Sequence, residues 1–299
     1  MSVTAAAPKL LAEPLAGGIP GAVVQLHPLV CGTLAAPRPF LVGEPGVRGR
    51  LRALGLLGAP RVTIPVMAWA LRHPGAGWLL VDTGLHPSVA WAPRQNLGRV
   101  GAAILRGVRL EKGWSAPERL RALGVEPDAV RAVVMTHLHL DHASALSEFD
   151  RATVVLDRRE WQAAYEGKAL RGYVRRQFDL AFDFRVVDFA TQGRSHATFA
   201  RTFDLFADGS VVLISTPGHS AGHIAVLLRT TGGSKLLAGD AIYLRETLAN
   251  GTLPAFCADE HLARRSLHEL QVFARQYPDV EILPSHEPEL LARYGAGAA

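Results

Sequence analysis

The stretch MTHLHLDHAS, residues 135–144, sets three imidazoles and a carboxylate within the six positions His137 to His142, directly after the apolar run 131–135. His137 and His139 are two apart, so in an extended chain leaving a strand both side chains point the same way. Asp141 and His142 follow at once, where the chain turns, and face a neighbouring point. One histidine in such a place is commonly structural. Three of them with an aspartate, in the order H-x-H-x-D-H, predict a metal site at the end of a buried strand.

Outward from this stretch, apolar runs closed by turn residues recur: RVTIPVMAWAL (61–71), GWLLVDTG (77–84), ATVVLD (152–157), SVVLISTPG (210–218), HIAVLLR (223–229), KLLAGD (235–240) and VEILPSH (280–286). Their length and Val/Ile/Leu content read as buried strands. Between them lie segments of helical period. One covers 115–125 with Ser115 as N-cap, one runs from about 157 to 170, and one covers 259–279 with Asp259 as N-cap. Alternating strands and helices without repeats or low-complexity linkers predict an α/β domain with sheets inside and helices outside. Two segments lack a clean period: the Pro/Gly-rich residues 1–35, and residues 88–115. The predicted organisation is therefore an N-terminal extension over 1–35, serving as a dimer arm or lid, and a single domain over 36–299 with an inserted loop at 88–115.

Composition narrows the function classes. With 299 residues and 48% hydrophobic content the chain can build a large core. The formal net charge is +5, but the basic residues are scattered arginines, with lysine only at Lys9, Lys112, Lys168 and Lys235. That pattern, without a basic patch interleaved with aromatics, argues against nucleic acid as a partner. Cys31 and Cys257 form no C-x-x-C pattern and read as reduced thiols. Glu13, Pro14, Gly17, Gly18 and Pro20 interrupt the N-terminal apolar stretch, so it makes no secretory signal. No run reaches the roughly 20 apolar residues of a membrane span. The expectation is a cytoplasmic protein with no membrane partner.

Further ligands of the same kind stand after later apolar runs: His219 in TPGHSAGH, Asp240 in LLAGD and His286 in LPSHEPE. Strand ends converge on one edge of a sheet, so residues distant in sequence can share a pocket. Five imidazoles and two carboxylates suit two borderline divalent ions, zinc foremost, each with a position left for water. His223 enters a strand and reads as a structural hydrogen-bonding histidine. His27, His73, His86, His196, His261 and His268 lack partners in the pattern and read as solvent or capping residues. Arg171, Arg175 and Arg176 read as a solvated helix face.

The set THLHLDH, TPGHSAGH, GDAIY and PSHEPE, with LLVDTG upstream, resembles the metallo-β-lactamase superfamily over residues 60–288. Within it, GDAIY, IPVMAWAL and LGVEPDAVRAVVMTHLHLDHA are similar to the N-acyl homoserine lactone lactonases, the quorum-quenching hydrolases. The resemblance implies a four-layer αββα sandwich with the metals at one edge of the sheets. It also implies that His137, His139 and His219 hold one metal, that Asp141, His142 and His286 hold the other, and that Asp240 bridges them. Asp82 is implied to hydrogen-bond to a ligand histidine, and Tyr243 to point its hydroxyl at the substrate carbonyl. The implied reaction opens a lactone ring by attack of a metal-bridging hydroxide, with Asp141 passing a proton to the leaving alkoxide. Two departures stand out. Ala143-Ser144-Ala145 replaces the glycines that often follow the motif, and Leu140 stands where the lactonases can carry an aromatic beside the acyl chain. Leu140, Trp91, Trp114 and Tyr173 are the candidates for an apolar substrate wall. The competing readings are a hydrolase of another lactone, a glyoxalase-II-like thioesterase, a nuclease of the superfamily, and a mononuclear iron dioxygenase acting on persulfides.

Overall fold

The computed structural model describes residues 7–167 and 169–295. Lys168, the first six residues of the expected N-terminal extension and the last four of the expected domain lie outside the described residues. Among the described residues thirteen strands follow one another: β1 (Lys9–Leu10), β2 (Gln25–Pro37), β3 (Arg61–His73), β4 (Gly77–Val81), β5 (Val130–Val134), β6 (Thr153–Asp157), β7 (Asp183–Val187), β8 (Arg194–His196), β9 (Phe199–Asp204), β10 (Val211–Ser215), β11 (Ile224–Thr230), β12 (Gly233–Gly239) and β13 (Glu281–Pro284). They form a seven-stranded sheet in the order β1-β7-β6-β5-β4-β3-β2 and a six-stranded sheet in the order β13-β12-β11-β10-β9-β8.

Alternation along the strands explains why the two sheets stack and why both outer faces are covered. Leu79, Val81, Ala132, Val134 and Val155 of the first sheet share one buried cluster with Val211, Leu213, Val226, Leu228 and Leu237 of the second. Their sequence neighbours Leu80, Val133, Val154 and Leu156 point the opposite way, onto Ala116 and Leu120 of one helix and Trp161 and Ala164 of another. On the far side, Ile214, Ala225, Leu236 and Ala238 meet Leu267, Leu270 and Phe273 of the helix Glu260–Gln276. Period-2 strands with both faces apolar require cover on both sides, and the result is the αββα sandwich.

The three expected helices form as Ala116–Ala122, Arg158–Glu166 and Glu260–Gln276. Ser115 and Glu118 complete a capping box, and Asp259 accepts from the backbone N–H of Leu262 at 2.9 Å. The two unpatterned segments differ from expectation. Residues 25–35 are not part of an extension but lie in β2, which pairs with β3 along its length and shifts register between Val30 and Thr33. Within 88–115, Pro93–Ile104 is helical around a break at Gly98, whose φ of 69° disrupts the period. Arg171, Arg175 and Arg176 occupy two short 3₁₀ turns rather than a helix face. Arg175 stacks over Tyr165, and Arg176 donates to the carbonyl of Gln95. His73 is buried rather than solvated, 3.0 Å from a carboxylate oxygen of Asp208. Both cysteines are free thiols. Among the described residues no helix is long and apolar enough to cross a membrane.

Candidate metal centre

Every motif residue stands just beyond the end of a strand: Asp82 after β4, His137–His142 after β5, His219 between β10 and β11, Asp240 after β12 and His286 after β13. One edge of the sandwich therefore gathers residues as far apart in sequence as Asp82 and His286. Two groups of donor atoms assemble there, His137, His139, His219 and Asp240 in one, and Asp141, His142 and His286 in the other. His219 Nε2 lies 3.2 Å from His137 Nε2 and 2.9 Å from His139 Nδ1. Ligand atoms 2.0–2.1 Å from a shared tetrahedral ion are themselves about 3.3 Å apart, so these spacings fit a cation-holding cage.

Asp240 stands between the groups. Its Oδ2 is 3.3 Å from His219 Nε2 and 3.7 Å from His137 Nε2, while Oδ1 is 3.2 Å from His142 Nε2 and 3.4 Å from His286 Nε2. Asp141 Oδ2 faces His142 and His286 at 3.8 Å each. Although 3.2 Å apart, His142 Nε2 and Asp240 Oδ1 are buried without a hydrogen bond of good geometry to any of the described residues. Orphaned buried polar atoms are costly unless something satisfies them, and a divalent cation between these two would do so. Gly239, with φ of 52°, delivers Asp240. A Cβ on it would lie 2.6 Å from His223 Nε2, so only glycine fits before the aspartate.

The hydrogen bonds behind the ligands turn their lone pairs inward. Asp82 accepts three, from His142 Nδ1 at 2.8 Å, from the Thr136 N–H at 2.8 Å and from the Thr136 hydroxyl at 2.7 Å. With its one proton given to Asp82, Thr136 Oγ1 accepts from His137 Nδ1, 3.0 Å away. His286 Nδ1 donates to the carbonyl of Pro65 at 3.0 Å. In all three histidines Nδ1 carries the proton and Nε2 is left as donor atom for a metal. The same three bonds hold Asp82 at φ of 58°, a conformation uncommon outside glycine.

Burial shifts the titration of the cluster, and the carboxylates decide in which direction. Burial pulls His137, His139 and His219 below the usual imidazole range, His137 and His219 well below it. Burial also opposes a charge on His142, but the carboxylates of Asp240, Asp141 and Asp82 outweigh it and carry His142 well above that range. Asp240 raises His286 in the same way. Burial would raise Asp240, yet His142, His286 and His219 hold it well below the usual carboxylate range.

Tyr243 is buried at the same edge, its hydroxyl 3.4 Å from His219 Nδ1 and its ring stacked on Phe40. Burial and the carboxylates of Asp240 and Asp141 push the phenol well above its ordinary value, so it keeps its proton and can donate. Leu140 is buried in one apolar cluster with Tyr243, Leu97 and Val174. The other three wall candidates stand outside this cluster. Trp91 is 72% exposed. Trp114 packs on the core between the sheets beneath Arg119. Tyr173 lies beside His139 with its ring tilted 56° to the imidazole, and donates to Glu160. His223 is tied between Thr216 Oγ1 and the Asp240 N–H, as its structural reading requires. Sequence reasoning did not single out Thr136, Phe40, Glu160 or the Pro65 carbonyl. Thr136 adjoins the motif and Glu160 stands in the first turn of a helix, but no spacing marked either one.

A fold of this kind with this donor set defines a metal-dependent hydrolase scaffold, and the sequence places it: the model of the metallo-β-lactamase superfamily matches residues 62–286, and the chain belongs to that superfamily. Within it, the chain is 32% identical over 237 residues to the N-acyl homoserine lactonase AttM of Rhizobium radiobacter, spanning 77% of this chain and 85% of that one. It is 27% identical over 215 residues to the N-acyl homoserine lactonase AiiA of Bacillus thuringiensis subsp. kurstaki, spanning 70% and 76%. Among solved structures, an N-acyl homoserine lactone hydrolase with its product N-hexanoyl-L-homoserine at the catalytic metal centre superimposes with a TM-score of 0.71. That match, at 21% identity, covers 91% of this chain and 96% of the other, and it is evidence for the fold.

Proposed function

We propose that the protein hydrolyses the lactone ring of N-acyl homoserine lactones with two divalent metal ions, zinc foremost. His137, His139 and His219 would hold one ion, Asp141, His142 and His286 the other, and Asp240 both. The observation that carries this reading is the division of the two Asp240 oxygens between the two histidine groups, with the Tyr243 hydroxyl beside them. Similarity to the lactonases of Rhizobium radiobacter and Bacillus thuringiensis supports the choice of substrate.

When bound, the metal pair supplies hydroxide near neutral pH and polarises the carbonyl. The protein's own groups do the rest. Tyr243 donates its proton-bearing hydroxyl to the carbonyl oxygen as charge gathers there. Asp141 carries the proton left on the attacking oxygen to the alkoxide as the ring C–O bond breaks, yielding the open hydroxy acid as its carboxylate. Leu140, with Leu97, Val174 and Phe40 around Tyr243, offers an apolar surface for the acyl chain. Asp82 keeps His142 in the tautomer that faces the metal.

The test is a pH-stat assay of the purified protein on a panel of acyl homoserine lactones beside S-lactoylglutathione. Acid release from the lactones is the expected outcome. Cleavage of the thioester alone would reject the lactone reading.

A further inference from the structure

We propose that Glu160 is the positioning residue for one half of the metal centre, fixing the loops of His137, His139 and His219 and setting that group's hold on its cation separately from Asp141, His142 and His286. The proposal rests on the two-metal reading above.

Glu160 is fully buried in the first turn of the helix Arg158–Glu166. Its Oε1 accepts from the Leu138 N–H at 3.0 Å and from the Tyr173 hydroxyl at 3.1 Å, and its Oε2 from the Ser220 hydroxyl at 2.6 Å and the Gly222 N–H at 3.0 Å. Leu138 lies between His137 and His139, and Ser220 follows His219. One carboxylate thus staples the two loops that carry the three histidines of the first group. A Cβ on Gly222 would lie 2.3 Å from the Glu160 nitrogen, so this loop fits closely against the helix start.

Tyr173 extends the clamp. Its ring centroid is 4.9 Å from that of His139, and the preceding Gly172 lies so close that a Cβ there would come within 2.8 Å of His139 Cδ2. The Gly172 carbonyl also accepts from the Leu140 N–H at 2.9 Å. His139 is boxed on that side while its Nδ1 faces His219. None of these contacts touches the second group, where Asp82 and the Pro65 carbonyl hold His142 and His286.

Glu160→Gln keeps the shape but replaces one acceptor oxygen with an amide donor. The Ser220 and Tyr173 hydroxyls can turn to accept, whereas a backbone N–H cannot, so either Leu138 or Gly222 loses its partner. The experiment titrates zinc-loaded full-length wild type, Glu160→Gln, Ser220→Ala and Tyr173→Phe with a chromophoric chelator and records their melting temperatures. One of the two ions in Glu160→Gln is expected to bind roughly 10–100-fold more weakly, with the other within about threefold of wild type. Ser220→Ala and Tyr173→Phe are expected to loosen the same ion by less. Equal weakening of both ions, or a lower melting temperature with both affinities unchanged, would overturn the proposal. If Glu160→Gln does not fold, wild-type affinities in both milder variants overturn it. A wild type that binds no ion would instead refute the two-metal reading itself.

Discussion

Tyr243→Phe removes one oxygen from the centre of the site and little else. The ring is 4% exposed and rests against Phe40 and His286, contacts that phenylalanine keeps. The hydroxyl lies 3.4 Å from His219 Nδ1, a long contact, and close to the Asp240 carboxylate, so its loss should change folding stability by about 1 kcal/mol or less. Catalysis should suffer far more. A donor aimed at a developing oxyanion contributes on the order of 10²-fold in rate, about 2.7 kcal/mol at 1.36 kcal/mol per factor of ten. Because the bond strengthens only as charge develops, the loss should fall on kcat, leaving KM within a few-fold. The assay is steady-state hydrolysis of an acyl homoserine lactone by both proteins at equal metal content, with thermal melts alongside. A kcat within about threefold of wild type would refute the role given to Tyr243, since that difference is worth under 1 kcal/mol.

Asp82→Asn places an amide donor among three donors, so at least one of the Thr136 N–H, the Thr136 hydroxyl and His142 Nδ1 loses its acceptor. Stability should fall by about 1–3 kcal/mol and metal affinity by roughly 10–100-fold, read by denaturant melts and chelator competition. Asparagine tolerates the positive φ at this position, so backbone strain does not confuse the result. In the metal-free protein, charged His142 is stabilised by its carboxylates and its folded pKa lies well above 6.5. That stabilisation is complete below the unfolded value and is lost as pH rises through the folded one. Denaturation midpoints of the metal-free chain should therefore fall as pH rises above about 6.5, with a shallower slope once metal is bound. At pH 7 metal loading must expel that proton, and calorimetry in two buffers of different ionisation enthalpy should detect about one or more released per chain. Leu140→Ala leaves space in a packed apolar cluster. It should cost about 2–4 kcal/mol of stability. It should also shift relative kcat/KM toward longer acyl chains by up to roughly tenfold, at about 0.8 kcal/mol per added methylene buried, measured across a chain-length series.

The parts of the molecule legible in its sequence are those whose signal is local. H-x-H-x-D-H puts four donors within six residues, and the runs ahead of His219, Asp240 and His286 are apolar enough to read as strands, so their ends can be expected to meet. The capped helices carry their start signals in Ser115 and Asp259. β2 was obscured because Pro28 and Gly32 interrupt its pattern. Gly32 sits at φ of 127° where a Cβ would meet Leu85 at 2.5 Å, and the register shifts there. Gly98 hid the helix Pro93–Ile104 in the same manner, splitting its period with a non-helical residue. Within the site, the supports were harder to see than the ligands. Tyr173 reads as an apolar wall residue until Glu160 appears beside its hydroxyl, and that contact exists only because a helix start packs on two strand-end loops. Such pairings depend on tertiary placement, which no spacing in the chain encodes.

The proposed reaction is ring opening by water. The measurement closest to it is mass spectrometry of an N-acyl homoserine lactone incubated with the metal-loaded protein in heavy-oxygen water. One water molecule should be gained, with the heavy oxygen in the new carboxylate and the acyl amide intact. Release of free fatty acid, or recovery of unchanged lactone from protein carrying its full complement of metal, would contradict it.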